Sequence, residues 1–354
     1  MIQLAGDLAL KTFLERRLAS LAENSYKHEV RANQKTRQHE RIVPLLAAFK
    51  HRGRFHLLLP WAHGGNLGDL FQQYATQTRI MKQGQRIAEW YSEEWLVTEC
   101  FGLADGLAAV HDTNDTQHAR TSAQIHADIK PENILCFASD NGEHGPFTLK
   151  LADFGEAQEV DAATRNVEVQ CVAHTKTYRP PEHDTEDLLT LNYDIWCLGC
   201  VYLELITWAI GGPGLLEEFE NIRFDECDDS KVTAARGDVR ADTFFKKTAE
   251  LPGLSSFLSI SIGRKVSTRF DPDGSRKAAR RRHNLWFEYT GSRVKALVKS
   301  GVESHIESLR AHCAGSMLER FLTFIISRML VVDPNRRASS VEVRSFLDDL
   351  RHNR

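Results

Sequence analysis

A chain of 354 residues is long enough to bury a sizeable core, either as one large domain or as two lobes. Its 42% hydrophobic and 26% charged residues are ordinary for a soluble protein, and a net charge of −3 excludes a global pull towards nucleic acid or an anionic membrane. Seven cysteines, an odd number with no framework spacing, argue against a disulfide-stapled fold and favour a reducing, intracellular and cytoplasmic setting.

The opening MIQLAGDLALK lacks a basic-then-apolar leader pattern. Residues 2–13 read as a strand, a turn at Ala5-Gly6-Asp7, and a second strand Leu8–Phe13 that carries Lys11. A helical stretch, Tyr26–Arg37, carries Glu29. Ile42–Phe49 and Phe55–Leu59 read as strands joined by a basic turn at Lys50–Arg54, and Pro60-Trp61-Ala62-His63-Gly64-Gly65-Asn66-Leu67 as a strand-to-helix turn. Apolar residues at 95, 96, 100, 103, 107 and 110 give Glu93–His111 a helical period with one buried face. A polar loop, Asp112–Ala123, follows, and the strands Ile134–Phe137 and Phe147–Leu151 flank a turn signal at Ser139-Asp140-Asn141-Gly142.

Ile195–Ile210 is apolar but too short for a comfortable membrane span, and it contains Glu204, so it reads as a buried core helix. Its Cys197-x-x-Cys200 pair reads as packing in preference to redox or metal chemistry. Gly211–Asn284 is the least readable segment, changing from acidic (Glu217–Glu220, Asp225–Asp229) to basic (Arg264-Lys265, Arg276–Arg282). Within it, Lys277–Arg282 fits a nuclear address, a phosphate-binding patch, or simply a solvated insertion. Leu297–Leu309, Met317–Leu330 and Ser340–Leu350 read as closing helices.

The chemistry concentrates in Gln124-Ile125-His126-Ala127-Asp128-Ile129-Lys130-Pro131-Glu132-Asn133-Ile134-Leu135. Here a carboxylate is followed two residues later by a cation and five residues later by a carboxamide. A second carboxylate, Asp153, ends the alternating run Leu149-Lys150-Leu151-Ala152-Asp153-Phe154-Gly155. Phosphoryl transfer needs such a set: an oxygen to orient the attacking hydroxyl, hard ligands for Mg²⁺, and positive charge against what develops on the transferred group.

These two motifs resemble the catalytic loop (usually HRDLKxxN) and the metal-binding turn of the eukaryotic protein kinase superfamily, serine/threonine type. Thr175–Glu182 resembles the family's T-x-x-Y-x-A-P-E ending, Tyr193–Leu205 its central D-x-W-S-x-G helix, and Asp333–Arg337 its D-P-x-x-R element. The likeness runs from about residue 8 to 350. It implies an α+β bilobal fold: a small antiparallel β lobe, residues 1–62, lacking its first strand, and a larger mainly helical lobe, residues 63–354, with an insertion at about 211–284.

By the same resemblance, Asp128 orients the acceptor hydroxyl and takes its proton, and Lys130 contacts the γ-phosphate. Asn133 and Asp153 hold Mg²⁺, and Lys11, aimed by Glu29, holds the α- and β-phosphates of ATP. Leu59 is gatekeeper of the adenine pocket, whose edge is read by the backbone around Trp61 and Ala62. Thr175 is expected to bond Asp128 and Lys130, Asp194 to hold the catalytic loop, and Arg337 to pair with Glu182. The implied activity is transfer of the ATP γ-phosphoryl group to serine or threonine hydroxyls of a protein substrate, with no specific nucleic-acid partner; no oligomeric state follows.

Three departures stand out. No G-x-G-x-x-G lid precedes Lys11, which raises as the alternative a pseudokinase-like scaffold with weak or no turnover. Asn33 sits where an apolar residue usually packs in a column with Leu45, Phe154 and His126. Ala127 and Gln158 replace cations that grip an activation-loop phosphate, which argues against that mode of control even though Thr164 and Thr177 are present.

Overall fold

The computed structural model of the chain describes residues 7–13, 19–36, 38–73, 92–112, 123–139, 147–160, 166–169, 175–186, 188–228, 241–250 and 293–352. The expected strand and turn at 2–6, the loop interior 113–122, the turn at 140–142, Thr164 and the basic run Lys277–Arg282 lie outside these residues.

A three-stranded antiparallel sheet forms from β1 (Leu8–Phe13), β2 (Ala47–His51) and β3 (Arg54–Pro60), in the order β1-β3-β2. Lys11 stands opposite Leu57 and Phe49 opposite His56. The basic turn tightens to Arg52 (φ 47) and Gly53 (φ 83), the pair of positive φ values that matches the twist of a two-residue hairpin. The strand expected over Ile42–Phe49 starts only at Ala47. Pro44 has no N–H for a ladder, and the residues before it serve another sheet: Val43 N donates to Leu151 O (2.8 Å) and Leu151 N to Arg41 O (2.9 Å).

Helix α1 (Ala19–Lys35) begins earlier than Tyr26, because good helix formers at 19–23 extend it. It docks on the sheet through Tyr26, which stacks on Phe55 (centroids 4.7 Å) and meets Phe13 edge-on (5.7 Å).

The helical part comprises α2 (Leu67–Gln73), α3 (Glu93–His111), α4 (Glu182–Thr185), α5 (Asn192–Asp225), α6 (Ser300–His312), α7 (Met317–Phe324) and α8 (Ser340–His352). Ser92 caps α3 by accepting from Trp95 N (3.1 Å). One face of α3 carries Gly102 and Gly106 because Arg41 lies against it; a Cβ at 102 would collide with the guanidinium, whose Nη1 reaches buried Glu99 at 2.5 Å.

Ile195 to Trp208 of α5 is buried on every side, as a helix apolar all round requires. α5 is also the one described helix long and apolar enough to cross a membrane, and 83% of that window lies inside the fold. Cys197 and Cys200 are free and buried, which pushes both thiols up: packing, as expected. At Gly212 (φ 68, ψ −166), just before Pro213, the helix breaks and resumes in a new direction. Of the last two turns, only Phe219 and Arg223 are buried.

The first part of the long charged segment is therefore continuous with the core. Its middle returns as β10 (Phe245–Glu250), paired antiparallel with β11 (Arg293–Val298) from Phe245↔Val298 to Glu250↔Arg293. Residues 251–292 thus leave and re-enter at adjacent positions of one hairpin, so their length adds little to the closure entropy.

The helix expected over Leu297–Leu309 is corrected to β11 followed by α6. Val294, Ala296 and Val298 alternate with polar residues or Leu297, a period of two that favours strand. Glu226 caps α6 from a distance, accepting from Ser300 N (3.1 Å) and Gly301 N (2.9 Å). Burial opposes its charge, but these amides, with Lys246 Nζ and the Ser300 hydroxyl, bring its carboxyl down to about 2. Short ladders complete the set: β4 (Gln124–Ile125) with β7 (Gln158–Glu159), β5 (Ile134–Ala138) with β6 (Phe147–Leu151), and β8 (Val167–Glu168) with β9 (Leu188–Leu189).

The expected pair between Arg337 and Glu182 is formed, bidentate at 2.5 and 2.6 Å with both side chains at most 1% exposed. The same guanidinium donates to Val331 O, Asn192 O and Val332 O, tying α4, the start of α5 and the C-terminal helices together. Arg337→Met leaves Glu182 charged and unpaired in the interior and should cost about 3–5 kcal/mol, read as a lower urea midpoint at unchanged slope. Replacing both residues by apolar ones of similar volume should restore most of that loss.

Candidate active site

The 124–135 segment is held from below by one buried carboxylate. Asp194, at the start of α5 and fully buried, accepts from His126 N (2.7 Å), Ala127 N (2.9 Å) and the His111 ring (2.9 Å). Ala127 is thereby kept at φ 67, a left-handed conformation that costs a non-glycine residue about 1–2 kcal/mol. Two hydrogen bonds to a charged acceptor, each worth about 1.5–3 kcal/mol, offset that strain.

His126 is locked in turn. Its Nε2 faces Ala152 O (3.1 Å), so the proton sits on that nitrogen, and its ring packs on Phe154 at 4.8 Å. Ala152 N donates to Asn133 O (2.9 Å), which fixes the residue before Asp153 beside the catalytic segment.

On this frame the expected side chains converge. Lys11 Nζ donates to both oxygens of Glu29 (2.9 Å each) and to Asp153 Oδ1 (2.8 Å). Asp153 itself has φ 62, and its Oδ1 also accepts from Gly155 N (3.1 Å). Asn133 Nδ2 donates to Asp128 O and Asp128 Oδ2 (2.8 Å each). Lys130 Nζ donates to Asp128 Oδ2 (2.7 Å) and Thr175 Oγ1 (3.1 Å), while Thr175 Oγ1 donates to Asp128 Oδ1 (2.9 Å). Lys11, Glu29 and Asp153 thus form one bonded set and Asp128, Lys130, Asn133 and Thr175 another, and the Ala152–Asn133 backbone bond joins the two.

The electrostatics follow from this sharing. Burial works against the charge on Lys11, but Asp153 and Glu29 beside it raise its pKa overall. Burial lifts the carboxyl of Glu29 more than Lys11 lowers it. For Asp153 the balance is reversed: burial raises it, Lys11 and the Gly155 amide lower it, and it ends below the ordinary carboxylate value.

The donor set fits a magnesium ion. With Nδ2 of Asn133 committed to Asp128, its carbonyl oxygen is the free end, and Asp153 keeps Oδ2 clear of the bonds made by Oδ1. Two protein oxygens are what Mg²⁺ takes when phosphates and water complete its shell. No group of three or more His, Cys, Asp or Glu suited to a metal occurs among the described residues.

The nucleotide-edge residues are less tightly specified. Leu59 lies opposite Ala9 in the small sheet and is half-buried. Trp61 is half-exposed and its N–H already donates to Asp7 O (2.9 Å); the Ala62 carbonyl accepts from Gly65 N (3.1 Å). Asn33 is no liability: its Nδ2 donates to Glu29 O (2.9 Å), so the expected polar penalty is met within the helix. Two features went unnoticed in the sequence: Gln124 reaches α1 at Ala32 O (3.3 Å), and a cluster forms around Arg223 behind Thr175–Tyr178. The spacing Phe219-x-x-x-Arg223 on one helix face was the available signal for the second.

Comparison with known proteins comes out in the same sense. A family model described as protein kinase domain matches residues 5–346. The chain is 30% identical over 170 residues to serine/threonine-protein kinase Nek5 of Mus musculus, covering 48% of this chain and 22% of that protein. It is 30% identical over 207 residues to Aurora kinase A-A of Xenopus laevis (58% and 42%), and 30% over 170 residues to receptor protein-tyrosine kinase CEPR2 of Arabidopsis thaliana (48% and 15%). The chain therefore spans less than half the length of each of these relatives.

One outcome checks the electrostatics. In Lys11→Met the buried Glu29 loses its cation, and its folded pKa should rise further above the unfolded value. A raised carboxyl stabilises below the unfolded pKa and loses that contribution as pH rises through the folded one. The melting temperature of Lys11→Met should therefore fall relative to wild type between pH 5 and pH 8, and Lys11→Met/Glu29→Gln should reduce that dependence to the share carried by Asp153.

Proposed function

The chain belongs to the protein kinase family, and from that premise we propose that it transfers the γ-phosphoryl group of ATP to serine or threonine hydroxyls of proteins. The observation that carries this reading is the unbroken run of bonds from Glu29 through Lys11 to Asp153, and from Ala152 through Asn133 to Asp128, Lys130 and Thr175. Residues scattered from 11 to 175 are tied together by these bonds, and they carry the charges a triphosphate and an attacking hydroxyl require.

In this reading Asp128 accepts a hydrogen bond from the acceptor hydroxyl and takes its proton. Thr175 and Asn133 fix the rotamer of that carboxylate, leaving it no freedom to turn away. Lys130, already between Asp128 and Thr175, offsets negative charge on the transferred group. Lys11 binds the inner phosphates, with Glu29 fixing its direction. The side-chain carbonyl of Asn133 and the carboxylate of Asp153 would hold Mg²⁺, which would supply positive charge against the phosphates. Leu59 would border the adenine ring, with the backbone around Trp61 and Ala62 at its edge; the Trp61 amide is already committed to Asp7.

The wording Asp128-Ile129-Lys130-Pro131-Glu132-Asn133 supports serine or threonine over tyrosine as acceptor. Alanine at 127, buried, and glutamine at 158, within the β4–β7 ladder, support an enzyme whose activation segment is shaped without a phosphate on it.

The test is Mg·ATP-dependent phosphorylation of a generic basic protein. Wild type should label serine or threonine, and Asp128→Asn should lower the rate by about 10²–10⁴-fold with nucleotide affinity retained. Equal signals from the two proteins would replace this reading with a non-catalytic scaffold.

A further inference from the structure

Behind the Thr175–Tyr178 shelf, a single buried arginine holds two carboxylates. Arg223, 3% exposed, lies on the second segment of α5, one turn after Phe219. Its Nη2 pairs with Glu204 Oε1 (3.0 Å) and its Nε with Asp242 Oδ1 (2.7 Å). The plane of the guanidinium packs on Phe219 (4.4 Å) and Phe244 (4.5 Å). Each carboxylate in turn takes a hydroxyl from the shelf: Thr177 Oγ1 donates to Asp242 Oδ2 (3.3 Å), and Tyr178 O–H to Glu204 Oε2 (2.9 Å). Two residues before Thr177 stands Thr175, bonded to Asp128 and Lys130. The Arg179 amide closes the turn back onto Thr175 O (3.2 Å).

A core contact made only for stability would put an apolar residue at 223, in register with Phe219. The fork geometry of arginine matters because it fixes two carboxylates at set angles: Glu204 Oε2 is left for Tyr178, and Asp242 Oδ2, which also accepts from Arg223 Nη2 (3.3 Å), is turned to Thr177. The backbone is braced as well, since the Arg223 carbonyl accepts from buried Lys299, which also donates to Ala241 O (2.9 Å). The segment 241–245 is thereby fixed on the far side of Asp242.

We propose that Arg223 is a positioning residue for the acceptor side of the reaction: through Glu204 and Asp242 it clamps Thr177 and Tyr178, and so holds Thr175 against Asp128 and Lys130. The proposal rests on the kinase reading for its consequence in catalysis, while the clamp itself stands on geometry. Its action is confined to the shelf. Lys11, Glu29 and Asp153 on the nucleotide side share no residue with it.

The test compares wild type, Arg223→Met and Arg223→Lys by hydrogen exchange and by steady-state kinetics. Burial pushes Glu204 up to about 7 even with Arg223 beside it, so in Arg223→Met the carboxyl can become neutral at working pH. If Arg223→Met still fails to fold, Asp242→Asn, which spares the Glu204 pair, takes its place.

The expected result is exchange about tenfold faster at the 176–179 amides, with α3 unchanged. Acceptor KM should rise by about tenfold or more, KM for Mg·ATP should be unchanged, and Arg223→Lys should fall between. Unchanged exchange at 176–179 in a folded variant overturns the clamp, and so does an effect on nucleotide KM equal to that on acceptor KM. If wild type transfers no phosphate, the kinase reading fails by itself, and the exchange measurement alone decides for or against the clamp.

Discussion

Everything at the cleft depends on the interior carboxylate of Asp194. A buried anion is tolerable only when donors surround it, and here the donors are backbone amides of the segment that must be held open. The two requirements satisfy each other: the carboxylate needs N–H groups, and Ala127 needs a reason to occupy a left-handed conformation. Asp128 then follows Ala127 at the mouth of the cleft, while His126 turns inward to Ala152 and Phe154. One charge in the core therefore sets the direction of two neighbouring side chains that point opposite ways.

A second theme is the use of cations as joints. Lys11 joins β1, α1 and the turn at Asp153; Arg337 joins α4, the start of α5 and the C-terminal elements; Arg223 joins both segments of α5 to residue 242. Each brings together pieces far apart in sequence, and each makes more than one charge-assisted bond. Pairs of this kind add little net stability over apolar packing, but removing one partner is expensive. They constrain how the pieces meet more than how strongly they meet.

How much of this could be read from the sequence varied with the kind of signal. Residues 128, 130, 133 and 153 sit in compact motifs whose local spelling carries their chemistry; the first three bond to one another, and Asp153 is brought beside them by the Ala152–Asn133 backbone bond. Glu93–His111 and Phe147–Leu151 matched residue for residue because amphipathic period and flanking polar residues agree there. Ile42–Phe49 misled because apolar residues around Pro44 suit a strand, while their partner, Leu151, is distant in sequence. Leu297–Leu309 misled because the apolar pair Leu297-Val298 adjoins a true helix and hides the two-residue period before it. Arg223 was legible only as a neighbour of Phe219 on one helix face: its partners, Glu204 and Asp242, flank it at distances that no local rule connects.

The two ends of α5 have a consequence for how this chain can vary. Asp194 at its start is buried beneath the 124–135 segment and Arg223 near its finish behind the Thr175–Tyr178 shelf, so the rotational phase of the helix after the Gly212 break is fixed. Inserting one residue between 213 and 219 would swing position 223 by about 100° and point the arginine at solvent. Between Glu250 and Arg293, where the hairpin partners stay in register whatever lies between them, many residues could be gained or lost at small cost. Length is free in one place and counted in the other, although both belong to the same charged stretch.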